Sequence, residues 1–237
     1  MVDLIVVGEG QTEETFVRDV LAPALSADRI YASPRLINTS REQRGGALNL
    51  ERVRKFIGNT LRERNDTYVT TLIDLYGLDT TFRGVTNSKG QAPAARATRA
   101  ARIEQLLHED VIAFARCRPE RFIPHIQPHE FESLLFSDIA TLCDVESGWQ
   151  EQSAPLIAAR NAVDDPEWIN DSPQTAPSKR LEQLRPRYRK VRHGPVAAAR
   201  IGLDRIREHC PHFRQWYDRL VTLPALQVRH SNIEYTT

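Results

Sequence analysis

An apolar run from Leu4 to Val7 ends in Gly8, Glu9 and Gly10, and a helix is expected from Thr12, with Glu13 and Glu14 in its first turn. A second run, Tyr68 to Leu72, leads through Ile73 into Asp74, then Leu75, Tyr76, Gly77, Leu78 and Asp79. Each run reads as a strand, so each strand delivers an acid at its end. In an open α/β sheet, ligands bind beyond the carboxyl ends of the strands. Carboxylates aimed at one rim repel unless something positive lies between them. Hard oxygen donors of this kind suit Mg²⁺ or Mn²⁺. Glu9 and Asp74 are therefore the expected metal ligands, with Asp79 a further candidate from the loop beyond.

Glu13 begins its helix beside Glu9 and is expected to share that site. Glu14 reads as a first-turn acid, which the helix dipole favours by about 0.3 to 1 kcal/mol. A third group, His125, Gln127, His129, Glu130, Phe131 and Glu132, follows a fourth strand-like run. Phe131 belongs to the core, whereas Glu130 can face the rim or cap the short helix that follows. Much later come Lys179, Arg180, Arg185, Arg187, Arg189, Lys190, Arg192 and His193, with Tyr188 among them. Such a run is either a solvated face or a phosphate-contacting surface, which binds nucleic acid without sequence selectivity. On the second reading Lys179, Arg180, Arg187 and Arg189 are the phosphate-binding residues. Acids for a metal and bases for phosphates together point to phosphodiester chemistry.

Two other phosphate-binding motifs are excluded. The Gly8-Glu9-Gly10 turn lacks the third glycine of a dinucleotide fingerprint, since Glu13 stands there, and no Gly-Lys-Ser or Gly-Lys-Thr follows for a Walker loop.

The elements that must position these residues alternate. Phe16, Val17, Val20, Leu21 and Leu25 recur at helical spacing, with Pro23 expected to end or kink the helix. Ile30 to Asn38 reads as the second strand, and Leu50, Val53, Ile57 and Leu61 mark an amphipathic helix. Thr80 to Pro93 reads as a long loop, Ala94 to Val111 as a helix and Phe122 to Ile126 as a fourth strand. This order predicts an α/β fold with a mostly parallel sheet, right-handed crossovers and flanking helices. From Pro128 onward the pattern is helical and interrupted by prolines. The expected organisation is an α/β core over 1–136 and a helical extension over 137–237 packed on it, with a polar tail from Arg229.

The 237 residues are 41% hydrophobic with a formal net charge of +1, so overall charge names no partner. No apolar stretch approaches a membrane span, and the start lacks a secretory pattern, so a cytoplasmic protein is expected. Cys117, Cys143 and Cys210 are odd in number and far apart, which suggests buried thiols. His125 and His129 are four apart, but Pro128 between them argues against a shared helix face.

The Glu-Gly-x-Thr-Glu stretch within Val7 to Phe16, together with Ile73-Asp74-Leu75-Tyr76-Gly77, resembles the Toprim fold of topoisomerases, primases and overcoming-lysogenization-defect nucleases. The whole chain is similar to a bacterial Toprim-related family of unknown function. That likeness extends to Gln127 to Glu132, Pro177 to Arg180, Ile201 to Leu203 and Cys210 to Phe213. The resemblance implies Mg²⁺ held by Glu9 and by Asp74, the leading residue of an Asp-x-Asp pair. The second position of that pair is Tyr76, so another ligand must come from Asp79, Glu13, Glu130 or water. It also implies a nuclease working beside an ABC-type or AAA-type ATPase in defence or mobile-element loci. The leading expectation is thus a metal-dependent nuclease. The alternatives are a non-catalytic binding or sensor module docked on such an ATPase, and a phosphohydrolase of small nucleotides.

Overall fold

The computed structural model describes residues 1–37, 48–85, 93–169 and 174–226. Asn38, residues 86–92 of the expected loop and the tail from Arg229 lie outside them.

Strand β1 (Val2–Gly8) pairs in parallel with β2 (Ile30–Leu36) on one side and β3 (Thr67–Asp74) on the other. Beyond β3 lie β4 (Phe122–Ile123) and β5 (Ile126–Gln127), both parallel to it. The expected fourth strand is thus split. Pro124 has no N–H to offer a ladder, and side chains of β3 take over: Thr70 Oγ1 donates to the Ile123 carbonyl, and Thr71 Oγ1 bonds both the carbonyl and the N–H of His125.

The order β2-β1-β3-β4 reverses direction between β1 and β3. In an open parallel sheet that reversal opens a crevice at the carboxyl ends of the two strands. Gly8 pairs with Leu72, so Glu9 and Asp74 leave the sheet side by side at this point.

The two sheet faces carry separate cores. Val7, Val69 and Ile73 pack against Val53, Ile57 and Leu61 of α3 (Leu50–Glu63) and Ile103, Leu107 and Val111 of α4 (Pro93–Ala115). Leu4, Val6, Tyr68 and Leu72 pack on the opposite face. There they meet Phe16 of α1 (Gln11–Phe16) and Leu25 of α2 (Ala22–Ser26). Between α1 and α2 the chain makes one wider turn, Val17–Leu21, in which the Ala22 N–H reaches back to the Val17 carbonyl. That π turn accommodates Pro23 without ending the helical path.

The second core runs unbroken across residue 137. It includes Leu142 of α5 (Ile139–Cys143), Leu156 of α6 (Ala154–Asn161), Leu181 of α7 (Pro177–Leu181) and Ile201 of α8 (Lys190–Ile201). Ile206 of α9 (Leu203–His209) and Phe213, Trp216 and Leu220 of α10 (Pro211–Val221) complete it. Gly194 lets α8 approach α1 closely, since a Cβ there would stand 3.0 Å from the Tyr188 hydroxyl and 3.3 Å from Thr12 Cγ2. Cys143 and Cys210 are buried free thiols, and Cys117 is half-buried. Among the described residues no helix is long and apolar enough to cross a membrane.

Candidate metal centre

Glu9 stands just past β1 and turns its side chain across the crevice, where Oε1 accepts the Asp74 N–H at 2.9 Å. Gly77 makes room for it: a Cβ there would lie 2.6 and 2.8 Å from the two Glu9 oxygens. The Asp74 carboxylate accepts the Phe131 N–H at 2.8 Å, which ties the end of β3 to the turn after β5. In that turn His129 adopts φ of 60°, and its carbonyl accepts the Tyr76 N–H at 3.0 Å. Glu13 folds back from the first turn of α1, and its Oε2 accepts the Gly10 N–H at 3.0 Å. Among the described residues no hydrogen bond reaches Glu9 Oε2 or Asp74 Oδ2.

Two further acids close the floor. Glu130 is bound on both oxygens by Ser178, through the backbone N–H at 2.9 Å and the hydroxyl at 3.0 Å, so it anchors α7. Glu132, fully buried, accepts the Tyr188 hydroxyl at 3.3 Å and lies 3.2 Å from the Lys190 ammonium. Lys190 also approaches Glu130 at 3.9 Å.

The electrostatics follow from this crowding. Burial, then the charge of Glu13, push Glu9 up to about 8 despite the Asp74 N–H and Lys190. Burial likewise lifts Glu13 to about 7, with Glu132 adding to it and backbone N–H groups opposing. Asp74 is raised well above its ordinary value by burial, Glu13, Glu9 and Glu132. Burial works against the Lys190 ammonium, but Glu132, Glu130 and Asp74 outweigh it and raise its pKa. One ammonium thus serves several mutually repelling acids. A cluster in which carboxylates hold protons near neutral pH has lone pairs ready for a cation. The donors are all oxygen, the kind Mg²⁺ and Mn²⁺ take, and Glu9 and Asp74 each keep one oxygen uncommitted. Among the described residues no three of these acids bring ligand atoms within 4.8 Å of one another.

The remaining predicted residues are placed elsewhere. Asp79 accepts bonds from the Thr81 N–H at 2.8 Å and from Asn49 Nδ2 at 3.4 Å, fastening its loop to the start of α3. Tyr76 is exposed, and its backbone alone joins the site's support. Lys179 and Arg187 both pair with Glu182, at 3.1 and 3.4 Å, and Arg180 Nε donates to the Thr175 carbonyl. Arg189 is exposed, while its N–H donates to His193 Nδ1 at 2.9 Å. The basic residue that enters the acid cluster is Lys190, which sequence reasoning had left among its neighbours. Glu132, Ser178 and Tyr188 were also missed; a Tyr-x-Lys pair opening a helix was the available signal for two of the partners.

Fold and centre define an open, parallel α/β protein with a cluster of buried acids at its topological switch point. The chain belongs to the family described as a domain of unknown function, DUF4276, whose model matches residues 8–221. No curated protein and no solved structure matches the chain.

Proposed function

We propose that this protein is a Mg²⁺- or Mn²⁺-dependent nuclease with a Toprim-like core. The observation that carries the proposal is the convergence of Glu9, Glu13, Asp74 and Glu132 around Lys190 at the switch point. Glu9 and Asp74 would hold the ion, each through the oxygen left uncommitted by its backbone bond. Such an ion supplies Lewis acidity, polarising a phosphoryl oxygen and acidifying water. Glu13, with its pKa near 7, suits the removal of a proton from the attacking water. Lys190 offsets charge that develops on the phosphate. Glu130 keeps α7 and its Lys179 and Arg180 beside the pocket, where they extend the surface offered to a phosphate backbone.

The partner in this proposal is an ABC-type or AAA-type ATPase of a defence or mobile-element system, as the Toprim likeness implies, and a cytoplasmic setting accords with it. A non-catalytic module docked on such an ATPase is the second reading. Tyr76, exposed where an Asp-x-Asp motif would place its second acid, favours that alternative.

The test is cleavage of single- and double-stranded DNA and RNA by the full chain with Mg²⁺ or Mn²⁺, with and without the co-expressed ATPase. Cleavage by the wild type that disappears in Glu9→Gln and Asp74→Asn supports the nuclease reading. Equal cleavage by highly purified variants contradicts it, and stable ATPase binding without cleavage selects the second reading.

A further inference from the structure

A second group of potential metal ligands lies apart from the rim acids. Glu104 of α4, His125 between β4 and β5, and His212 of α10 bring their ligand atoms within 4.8 Å of one another. Among the described residues no other three histidines, cysteines or acids do so.

The hydrogen bonds around the two histidines decide what their free nitrogens can do. Gln127 Nε2 donates to Glu167 Oε1 at 3.1 Å and to Ser133 Oγ at 3.3 Å, which fixes the orientation of that amide. Its oxygen therefore faces His125 Nε2, 3.1 Å away, and receives that N–H. In the neutral ring the Nδ1 lone pair is then directed at Glu104 Oε1, 3.7 Å distant, so one acceptor faces another beyond hydrogen-bond range. His212 Nε2 lies 2.7 Å from the same Glu104 oxygen, which also accepts the Ile126 N–H at 2.7 Å. His125, with its outer N–H held by the Gln127 amide oxygen and its inner nitrogen facing the carboxylate that His212 also contacts, is arranged as a metal-bound histidine is.

We propose that Glu104, His125 and His212 form a Zn²⁺ site joining α4, the split strand and α10. Two imidazoles and one carboxylate are an established Zn²⁺ donor set, with bonds of about 2.0 to 2.2 Å. Tetrahedral ligands at that length stand about 3.3 Å apart. The 3.7 Å separation already allows this, and the 2.7 Å contact opens by about 0.6 Å when the metal replaces the proton between His212 and Glu104. Glu104 and His212 each keep 16% of their side-chain surface exposed, which gives an ion a path in and leaves a position for water. Trp216 stacks on His125 at 4.5 Å between ring centroids and so reports on the site.

The test is equilibrium dialysis of the full chain against micromolar Zn²⁺, with Co²⁺ as a spectroscopic substitute. One Zn²⁺ per chain is expected, together with the visible absorption of four-coordinate Co²⁺ and quenching of Trp216 fluorescence that disappears in Trp216→Phe. Glu104→Gln keeps an oxygen for the Ile126 N–H, and it should weaken Zn²⁺ binding at least tenfold, as should His212→Ala. Glu9→Gln, which disables the rim pocket, should leave this binding intact, so failure of one site is distinguishable from failure of the other. If the wild type retains no Zn²⁺, or if Glu104→Gln retains it at wild-type affinity, the three residues form a proton-held network and the proposal is overturned.

Discussion

Replacing Glu9 by glutamine should stabilise the metal-free protein, and increasingly so as pH rises. Glutamine keeps an oxygen for the Asp74 N–H but removes one charge from the crowded pocket. In the wild type the folded chain holds the Glu9 proton more tightly than the unfolded chain does, with a pKa of about 8 against 4.5. A raised folded-state pKa means that stability is greatest below the unfolded value and is lost as pH climbs through the folded one. At 1.36 kcal/mol per unit, a shift of this size is worth about 5 kcal/mol for an isolated group. Glu9 and Glu13 repel each other, so protonating one relieves the other, and roughly 2 kcal/mol is the gain expected for Glu9→Gln at pH 8. At pH 5 the difference should be a few tenths. Urea unfolding with a chelator present, followed at both pH values, measures it. A variant that is no more stable than the wild type at pH 8, or equally stabilised at both, would refute the claim that repelling carboxylates govern the pocket. Millimolar Mn²⁺ should restore wild-type stability at pH 8 and do little for the variant.

Lys190→Met leaves Glu132, Glu130 and Asp74 without their ammonium. Because 42% of the lysine side chain is exposed, solvent screens part of the loss, and a destabilisation of about 1 to 2 kcal/mol is expected by urea titration. Metal-dependent cleavage should fall at least a hundredfold with divalent binding retained, whereas unchanged cleavage would remove Lys190 from the chemistry. Asp79→Ala should cost about 1 kcal/mol by loosening the loop on α3 while leaving Mn²⁺ affinity unchanged. A large loss of affinity there would return Asp79 to the ligand set.

The two acids at the strand ends were legible because an apolar run that stops at an acid fixes both element and position. The parallel pairing was legible from strands separated by helical periodicity, whereas the strand order with its reversal between β1 and β3 was not, because the same succession of elements suits several orders in a sheet. Pro124 was visible, but the rescue of the interrupted ladder by Thr70 and Thr71 was not, because it depends on a neighbouring strand. Lys190 was hidden among bases of identical chemistry, and its contacts with Glu132 and Glu130 distinguish it from Lys179, which pairs with Glu182. Glu130 looked like a ligand by position, yet Ser178, far along the chain, satisfies both its oxygens. The Glu104, His125 and His212 group spans α4 to α10, and no local pattern joins residues so distant in sequence.

Mn²⁺ binding by calorimetry on the wild type, Glu9→Gln and Asp74→Asn bears most directly on the rim centre, because it needs neither substrate nor ATPase. The account predicts binding by the wild type that is lost in both variants and is unaffected by His212→Ala. Absence of wild-type binding at millimolar Mn²⁺, or undiminished binding by Asp74→Asn, would contradict it.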